Sequence, residues 1–329
     1  MTDRKKDHIE LAFRSQVAKI DKDTRFVYEP LFSAHPGSLE PINFLGKKVN
    51  APVWISSMTG GTSMAKKINF NLATLAKEFG LGMGLGSCRC LLDNDDCFGD
   101  FNVRPIVGNE LPLFANLGIS QIETLLIDNQ IYKIENLIEK INADGLIIHI
   151  NPMQEFFQPE GDLLKNPPIL IIEELLKVLD CKIIVKEVGQ GMGYESLKAL
   201  LKLPIAAIDF GAFGGTNFSK LEVLRNNKSL INSIGVLAQV GQTAEEMTND
   251  MNDLFEEFPE QRNMEVIISG GIKSFLDGYF LINKIKFNAV YGQGSTFLAY
   301  AMEDYETLRT FFTYQLKGLQ MAKAYLRIK

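Results

Sequence analysis

Eight short runs of apolar, β-prone residues recur along the chain, and amphipathic stretches separate most of them. The runs are APVWISSM (51–58), LGMGLGS (81–87), LPLFANLG (111–118), GLIIHIN (145–151), KIIVKEVG (182–189), IAAIDFG (205–211), MEVIISGG (264–271) and NAVYGQGS (288–295). Between them, AKKINFNLATLAKEF, YKIENLIEKINA, ILIIEELLKVL and YESLKALLK carry apolar residues at helical spacing with polar residues between. TAEEMTNDMNDLFEEF and SFLDGYFLINKI fill later gaps, and YETLRTFFTYQLKGLQMAKAYL closes the chain. Strands alternating with helices imply parallel pairing. Eight such units predict a (β/α)8 TIM barrel over residues 51–329; an open doubly wound sheet would alternate in the same way. Residues 1–50 precede the first barrel strand and predict an arm or cap, irregular through EPLFSAHPGSLEPINF, where proline and glycine break any period.

Barrels of this kind gather reactive groups at the C-terminal ends of their strands. The unusual residues of this chain fall there repeatedly: MTGGT after the first run, GSCR after the second, ANLG after the third and HINPMQE after the fourth. Lys186 sits in the fifth, GAFGGT follows the sixth and SGGI the seventh. SGGI (269–272) and GQGS (292–295) end the last two strands, where barrels commonly bind phosphate. Glycines there let backbone N–H groups approach an anion closely, and a helix N-terminus adds favourable partial charge. The bland alternative is a pair of tight turns.

SMTGGT (57–62) offers a hydroxyl and backbone donors to a flat ligand, and Asn116 could bond a ring edge. Lys186, flanked by apolar residues, is expected to enter the barrel mouth, where a fixed cation stabilises an electron-rich ring. Side chains repeat every second residue along a strand, so His149 and Asn151 share a face. With Ile148 and Ile150 toward the helices, both polar groups face the barrel axis. Pro152 then stops the strand and leaves Gln154 and Glu155 on the loop above. DRKKDH, near the start, reads on charge alone as the solvated beginning of a helix.

Composition narrows the classes. The 329 residues are 46% hydrophobic and 22% charged, with a net charge of −6 and a pI near 5.3. No basic field exists to attract nucleic acid, so a small anionic substrate would need a local cluster of cations. No stretch approaches ~18 consecutive apolar residues, which argues against a membrane span. The charged start, MTDRKKDHIELAF, lacks a signal-peptide core. A cytoplasmic protein is expected. Of the cysteines, Cys88, Cys90 and Cys97 fall within SCRCLLDNDDC and Cys181 lies apart. Their spacing lacks a CxxC pair and a nearby histidine, so reduced thiols are expected and no metal is assigned to them.

RKKDH (4–8), SSMTGGT (56–62), GSCR (86–89), ANLG (115–118), HINPMQE (149–155), VKEVG (185–189), GGT (214–216) and SGGI together resemble type 2 isopentenyl-diphosphate delta-isomerase. These motifs run in the family's order from residue 4 to about 298. The resemblance implies an FMN-dependent, magnesium-requiring barrel that interconverts isopentenyl and dimethylallyl diphosphate, with NADPH as reductant. It also implies a homo-oligomer, tetrameric or octameric.

By the same resemblance, Arg4 and Lys5 bind the substrate diphosphate. Met58, Thr59, Gly60, Ser87, Asn116, Lys186 and Thr216 contact FMN. Gly270, Gly271, Ile272, Gly294 and Ser295 surround its phosphate. His149, Asn151 and Gln154 line the substrate together with Ser87 and Arg89, and Glu155 holds the Mg2+. Gln154 and Lys186 are the implied catalytic pair. Three positions depart from the family pattern. Cys88 stands where a glutamine is usual, Ser295 where an arginine is, and Lys273 replaces an arginine after GGI. Two rival classes are an FMN oxidoreductase of the 2-hydroxy-acid oxidase type and a non-catalytic flavin-binding module. The oxidase would need a His–Arg pair late in the barrel, and His149 is the last histidine in the chain.

Overall fold

The structure, a computed structural model, describes residues 2–56, 60, 64–225 and 233–329. Three short strands come first: β1 (Phe26–Tyr28), β2 (Ile42–Phe44) and β3 (Lys47–Val49). The eight expected runs then appear as β4 (Val53–Ile55), β5 (Gly82–Gly84), β6 (Leu113–Gly118), β7 (Gly145–Ile150), β8 (Lys182–Glu187), β9 (Ala207–Asp209), β10 (Glu265–Ser269) and β11 (Asn288–Gln293). They pair in parallel in chain order, and β11 returns to β4 to close a barrel. An open sheet is thereby excluded. A last strand, β12 (Leu326–Ile328), pairs antiparallel with β1 and ties the two ends of the chain together.

The expected helices form, among them Ala65–Phe79, Tyr132–Ile141, Pro168–Val178 and Tyr305–Tyr325. Helix Ala244–Glu257 starts at a reciprocal cap, with the Thr243 side chain on the Glu246 amide and the Glu246 carboxylate on the Thr243 amide. Among the described residues, helices that were not anticipated include Pro152–Phe157, Ile119–Ile127, Phe218–Arg225 and Ser295–Glu303, beside the short Phe98–Phe101 and Arg104–Val107. The first corrects the loop expected for Gln154 and Glu155. Pro152 ends the strand, but at the first helical position its missing N–H costs nothing and its fixed φ starts a turn.

Alternation along the strands builds two layers inside the barrel. The lower layer is apolar: Trp54, Phe114, Ile147, Ile184, Ala207, Ile267 and Val290 pack with Phe44, Leu45 and Val49 of the β2–β3 hairpin. That hairpin seals the N-terminal end of the barrel. Its turn places Leu45 at φ 53° and Gly46 at φ 78°, a geometry that matches the twist of a two-residue hairpin. A leucine at positive φ is strained. Here it is held from both sides, with its N–H donating to Glu265 Oε2 at 2.6 Å and its carbonyl accepting from Lys182 Nζ at 2.6 Å.

The cysteine expectation is corrected. Cys90 and Cys97 form a disulfide, their Cα atoms 6.5 Å apart, while Cys88 and Cys181 are free thiols. A turn at Arg89–Leu92 and the short helix Phe98–Phe101 fold the intervening loop back on itself. This brings the two Cα atoms within bonding range, a closeness that spacing alone does not reveal. No group of three or more metal-ligating side chains occurs among the described residues.

Candidate active site

Two residues beyond the apolar layer, seven of the eight strands (all but β5) present their next inward position. These are Ser56, Asn116, His149, Lys186, Asp209, Ser269 and the bare Cα of Gly292, by the same alternation that directs Trp54, Phe114, Ile147, Ile184, Ala207, Ile267 and Val290 inward. The barrel therefore changes from apolar to polar in one step, at the end where reactive groups were expected. Pairing registers His149 with Lys186 and Lys186 with Asp209 across β7, β8 and β9. Three ionisable groups thus stand side by side.

Their hydrogen-bond partners differ. His149 Nδ1 lies 2.7 Å from Asn116 Oδ1. A side-chain amide oxygen only accepts, so Nδ1 carries the proton and Nε2 presents a lone pair. Burial, and then the Lys186 charge, lower the His149 pKa to about 4, which keeps the ring neutral. Lys186 Nζ donates to the Glu187 carbonyl at 2.8 Å. Glu187 Oε2 accepts from the amides of Gly189, Gln190 and Gly191 at 2.7, 2.6 and 2.8 Å. Burial still pushes its carboxyl up to about 7, against the pull of those amides and of Lys186.

Two adjoining chambers open on this layer. The larger, of about 200 Å³, is lined by Ser56, Lys186, Thr216, Lys273 and the loops Gly270–Gly271–Ile272 and Gly294–Ser295–Thr296. The smaller, of about 130 Å³, is lined by Gly86, Ser87, Asn116, His149 and Gln154. Lys186, Val188 and Phe218 belong to both walls. Glycine is required at one position of the larger chamber in particular. Gly270 has φ +86°, and a Cβ would run into the backbone of Ala212. Helix Ser295–Glu303 directs its first turn, with unpaired amides, into the same chamber.

The rim beside the smaller chamber is a connected network. Asn151 Nδ2 donates to Glu155 Oε1 at 2.9 Å and to Gln154 Oε1 at 3.2 Å. Glu155 also accepts from Ser120 Oγ at 3.2 Å and from the Asp162 amide at 2.8 Å. Asp162 in turn pairs with Arg89 at 3.1 Å. Helix Phe218–Arg225 packs on Pro152–Phe157 from the other side, through a small apolar cluster of Phe157, Val223 and Ala238.

The expected residues are thus brought together unevenly. Ser87, Asn116, His149, Gln154, Lys186, Thr216, Gly270, Gly271, Ile272, Gly294 and Ser295 all line one chamber or the other. Asn151 does not. It is buried and turns its amide to Gln154 and Glu155 rather than into the smaller chamber. Arg89 stands on the rim, and Glu155 is buried behind Gln154. Gly60 is described but lies against Phe101 and Ser87 rather than on either wall, and Met58 and Thr59 fall outside the described residues. Arg4 and Lys5 ride on the exposed helix Thr2–Leu11, and among the described residues no hydrogen bond or ion pair joins them to the barrel.

Cys88, at the departing glutamine position, is buried in the helix-side core. Its thiol donates to the Gly86 carbonyl at 3.3 Å, and burial pushes its pKa up to about 12. That departure leaves the chamber walls intact. Lys273 and Ser295 both line the larger chamber, so the other two departures fall together. Sequence reasoning missed Ser56, Asp209, Glu187 and Phe218. Counting two residues on from each apolar strand position would have found Ser56 and Asp209.

A closed parallel barrel with a polar mouth, a glycine-rich chamber and a half-buried lysine has the form of an α/β-barrel enzyme site. No family model matches the chain. A protein of Rickettsia prowazekii (strain Madrid E) named isopentenyl-diphosphate delta-isomerase is 36% identical over 284 residues, covering 84% of this chain and 80% of its own. The chain belongs to that family and is an isomerase. Among solved structures, a mutant flavocytochrome b2 with benzoylformate aligns at a TM-score of 0.61 and 14% identity, over 91% of this chain and 71% of its own. A mutant mandelate oxidase with the monooxide FMN adduct gives a TM-score of 0.56 at 11% identity, over 92% and 88%. These two share the fold.

Proposed function

We propose that the protein converts isopentenyl diphosphate to dimethylallyl diphosphate for isoprenoid biosynthesis, with reduced FMN and Mg2+ at the barrel mouth and NADPH as the source of electrons. The observation that carries this reading is the position of Lys186, on the shared wall between an anion cradle and a small polar chamber. The family membership supplies the substrate.

The residues fit FMN. The phosphate would rest on Gly270, Gly271, Gly294 and Ser295, with Lys273 as the nearby cation, and the ring edge would meet Lys186. Ser56 Oγ, which lines the cradle, is buried without a hydrogen-bond partner, as a group awaiting a ligand would be. Bound and reduced, FMN would supply an electron-rich ring that stabilises positive charge on the reacting hydrocarbon. Mg2+ fits more narrowly. Glu155 holds three donors, which leaves about one of its roughly four lone-pair sites open. Mg2+ accepts one or two carboxylates when water and substrate phosphates complete its shell.

The reaction adds a proton at one carbon and removes one two carbons away. Gln154 is no acid or base, so its part is to orient the hydrocarbon or hand a proton along, with Asn151 fixing its amide. Neutral His149 offers Nε2 as an acceptor toward the same chamber. To donate to a diphosphate it must gain a proton, which an arriving anion favours.

The shared fold of the oxidases favours nothing against this reading, since a fold hosts many chemistries. The test is an anaerobic assay with isopentenyl diphosphate, Mg2+ and FMN. Turnover is expected only after NADPH or dithionite reduces the flavin, with many products per reductant. Reductant consumed in proportion to product would instead establish an oxidoreductase.

A further inference from the structure

We propose that Asp209 is a charge-setting residue: held as the neutral acid beneath the mouth, it leaves the Lys186 ammonium without a counter-ion until an anionic ring provides one. This rests on the FMN reading above and adds a residue to it.

The placement comes first. Asp209 ends β9 fully buried, in register with Lys186 on the adjacent strand, and both side chains point inward. No ion pair forms between them within 4.0 Å among the described residues; Lys186 Nζ bonds the Glu187 carbonyl instead. Asp209 Oδ1 accepts from Ser269 Oγ, and Oδ2 is buried with no hydrogen-bond partner. An ionised carboxylate with one bare oxygen in a fully buried position is costly. A proton removes most of that cost.

The charged and titratable groups around Asp209 agree. From β8 it faces Lys186, with Glu187 beyond, and from β7 His149; on β10 its partner is the uncharged Ser269. Burial raises the Asp209 pKa, outweighing Lys186, the Ser269 hydroxyl and the Gly211 amide, which all pull it down. With His149 also neutral, Lys186 is the one uncompensated charge of this row. If Asp209 loses its proton, a negative charge appears beside Lys186 and weakens its hold on an anionic ring. The preference for reduced over oxidised FMN therefore falls as pH rises.

The test titrates apo-protein anaerobically with oxidised and with reduced FMN from about pH 5.5 to about pH 9, comparing wild type with Asp209→Asn. At the acid end the two proteins should prefer reduced FMN equally, within about twofold. Toward the alkaline end the wild-type preference should fall by about tenfold more than that of the variant, as expected for a charge gained near a cation. A preference already about tenfold higher in Asp209→Asn at the acid end would mean that Asp209 is ionised throughout, and would overturn the proposal. So would an identical pH course in both proteins. FMN that fails to bind the wild type at all refutes the cofactor reading itself, a different failure.

A second measurement covers a variant that does not fold. Apo-protein should show a protonated-carboxyl infrared band at neutral pH that persists in Glu187→Gln. Its absence there also overturns the proposal.

Discussion

The two ends of the barrel are built from the same kinds of residue and use them in opposite ways. At the N-terminal end the charges that hold the hairpin plug have partners, although Trp54 Nε1 in the apolar layer is buried without one among the described residues. Asp144 binds Lys47, Arg104 Nη2 at 2.9 Å and the Leu113 amide at 2.9 Å, and Glu265 and Lys182 grip the two sides of Leu45. At the C-terminal end, among the described residues, Asp209, Ser56 and Asn151 each keep a buried oxygen with no partner, and Lys186 has no ion pair. Satisfied polar groups fix a hairpin in the bottom of the barrel. On the function proposed above, the unsatisfied ones, costly to keep, are groups that a ligand would complete. Folding strength and chemistry are separated along the barrel axis.

That separation predicts which substitutions damage activity and which damage stability. The largest effect is expected from Lys186→Met. Removing one preorganised charge from a buried site costs about 10²–10³ in turnover. The same change should weaken reduced FMN far more than oxidised FMN and leave thermal unfolding nearly unchanged. A variant that loses stability instead would put Lys186 on the structural side of the comparison.

Glu155→Gln comes next, at about 10² in Mg2+-dependent turnover, since a neutral amide is a poor ligand for a hard cation. FMN titration should be unaffected because Glu155 lies behind the smaller chamber, away from the cradle. Unchanged activity across a Mg2+ titration would remove it from the metal role and leave it as the clasp between Asn151, Ser120 and the Asp162 amide.

At the other end, Asp144→Asn should cost about 2–3 kcal/mol of stability by leaving a buried arginine and a half-buried lysine uncompensated, with turnover per folded molecule intact. Burial pushes the Asp144 carboxyl up, but Lys47, the Leu113 amide and Arg104 together hold it below the ordinary aspartate value. A depressed folded-state pKa stabilises above the unfolded value and loses that stabilisation as pH falls through the folded one. Denaturant unfolding should therefore show wild type and Asp144→Asn converging as the pH falls below about 4. A constant gap down to lower pH would show that shape rather than charge holds this end.

The two ends were unequally legible. The barrel could be read because each strand pairs an apolar run with a polar or glycine-rich exit, and because helices such as Ala65–Phe79 keep one apolar face. Lys186 and His149 stood out for being ionisable in such runs. Asp209 did not, since AIDFG reads as an ordinary strand end until the neighbouring strands place it inside. The plug was hidden by length: β2 and β3 have three residues each, too few for alternation to register. Its key residue, Leu45, is a bulky side chain in a turn conformation that sequence rules reserve for glycine and asparagine. Only its contacts with Glu265 and Lys182, more than a hundred residues away, explain it.

The smallest effect should come from the Cys90–Cys97 bond, on the loop that carries Ser87 and Arg89. That loop has other anchors. Lys133 pairs with Asp93 at 2.9 Å, Lys140 binds Asp95, and Arg89 reaches Asp162. Closing so short a loop stabilises by about 2 kcal/mol in the chain-entropy account, and these pairs hold much of the same geometry without it. Cys90→Ser with Cys97→Ser should lower the unfolding free energy by no more than about that amount and change turnover by less than about threefold. Denatured, unreduced protein should yield two thiols, from Cys88 and Cys181, and reduction should expose the remaining pair. Finding all the thiols without reduction would return the loop to the reduced state its spacing suggests. A large loss of turnover in the serine variant would instead move this loop from the scaffold to the working end of the barrel.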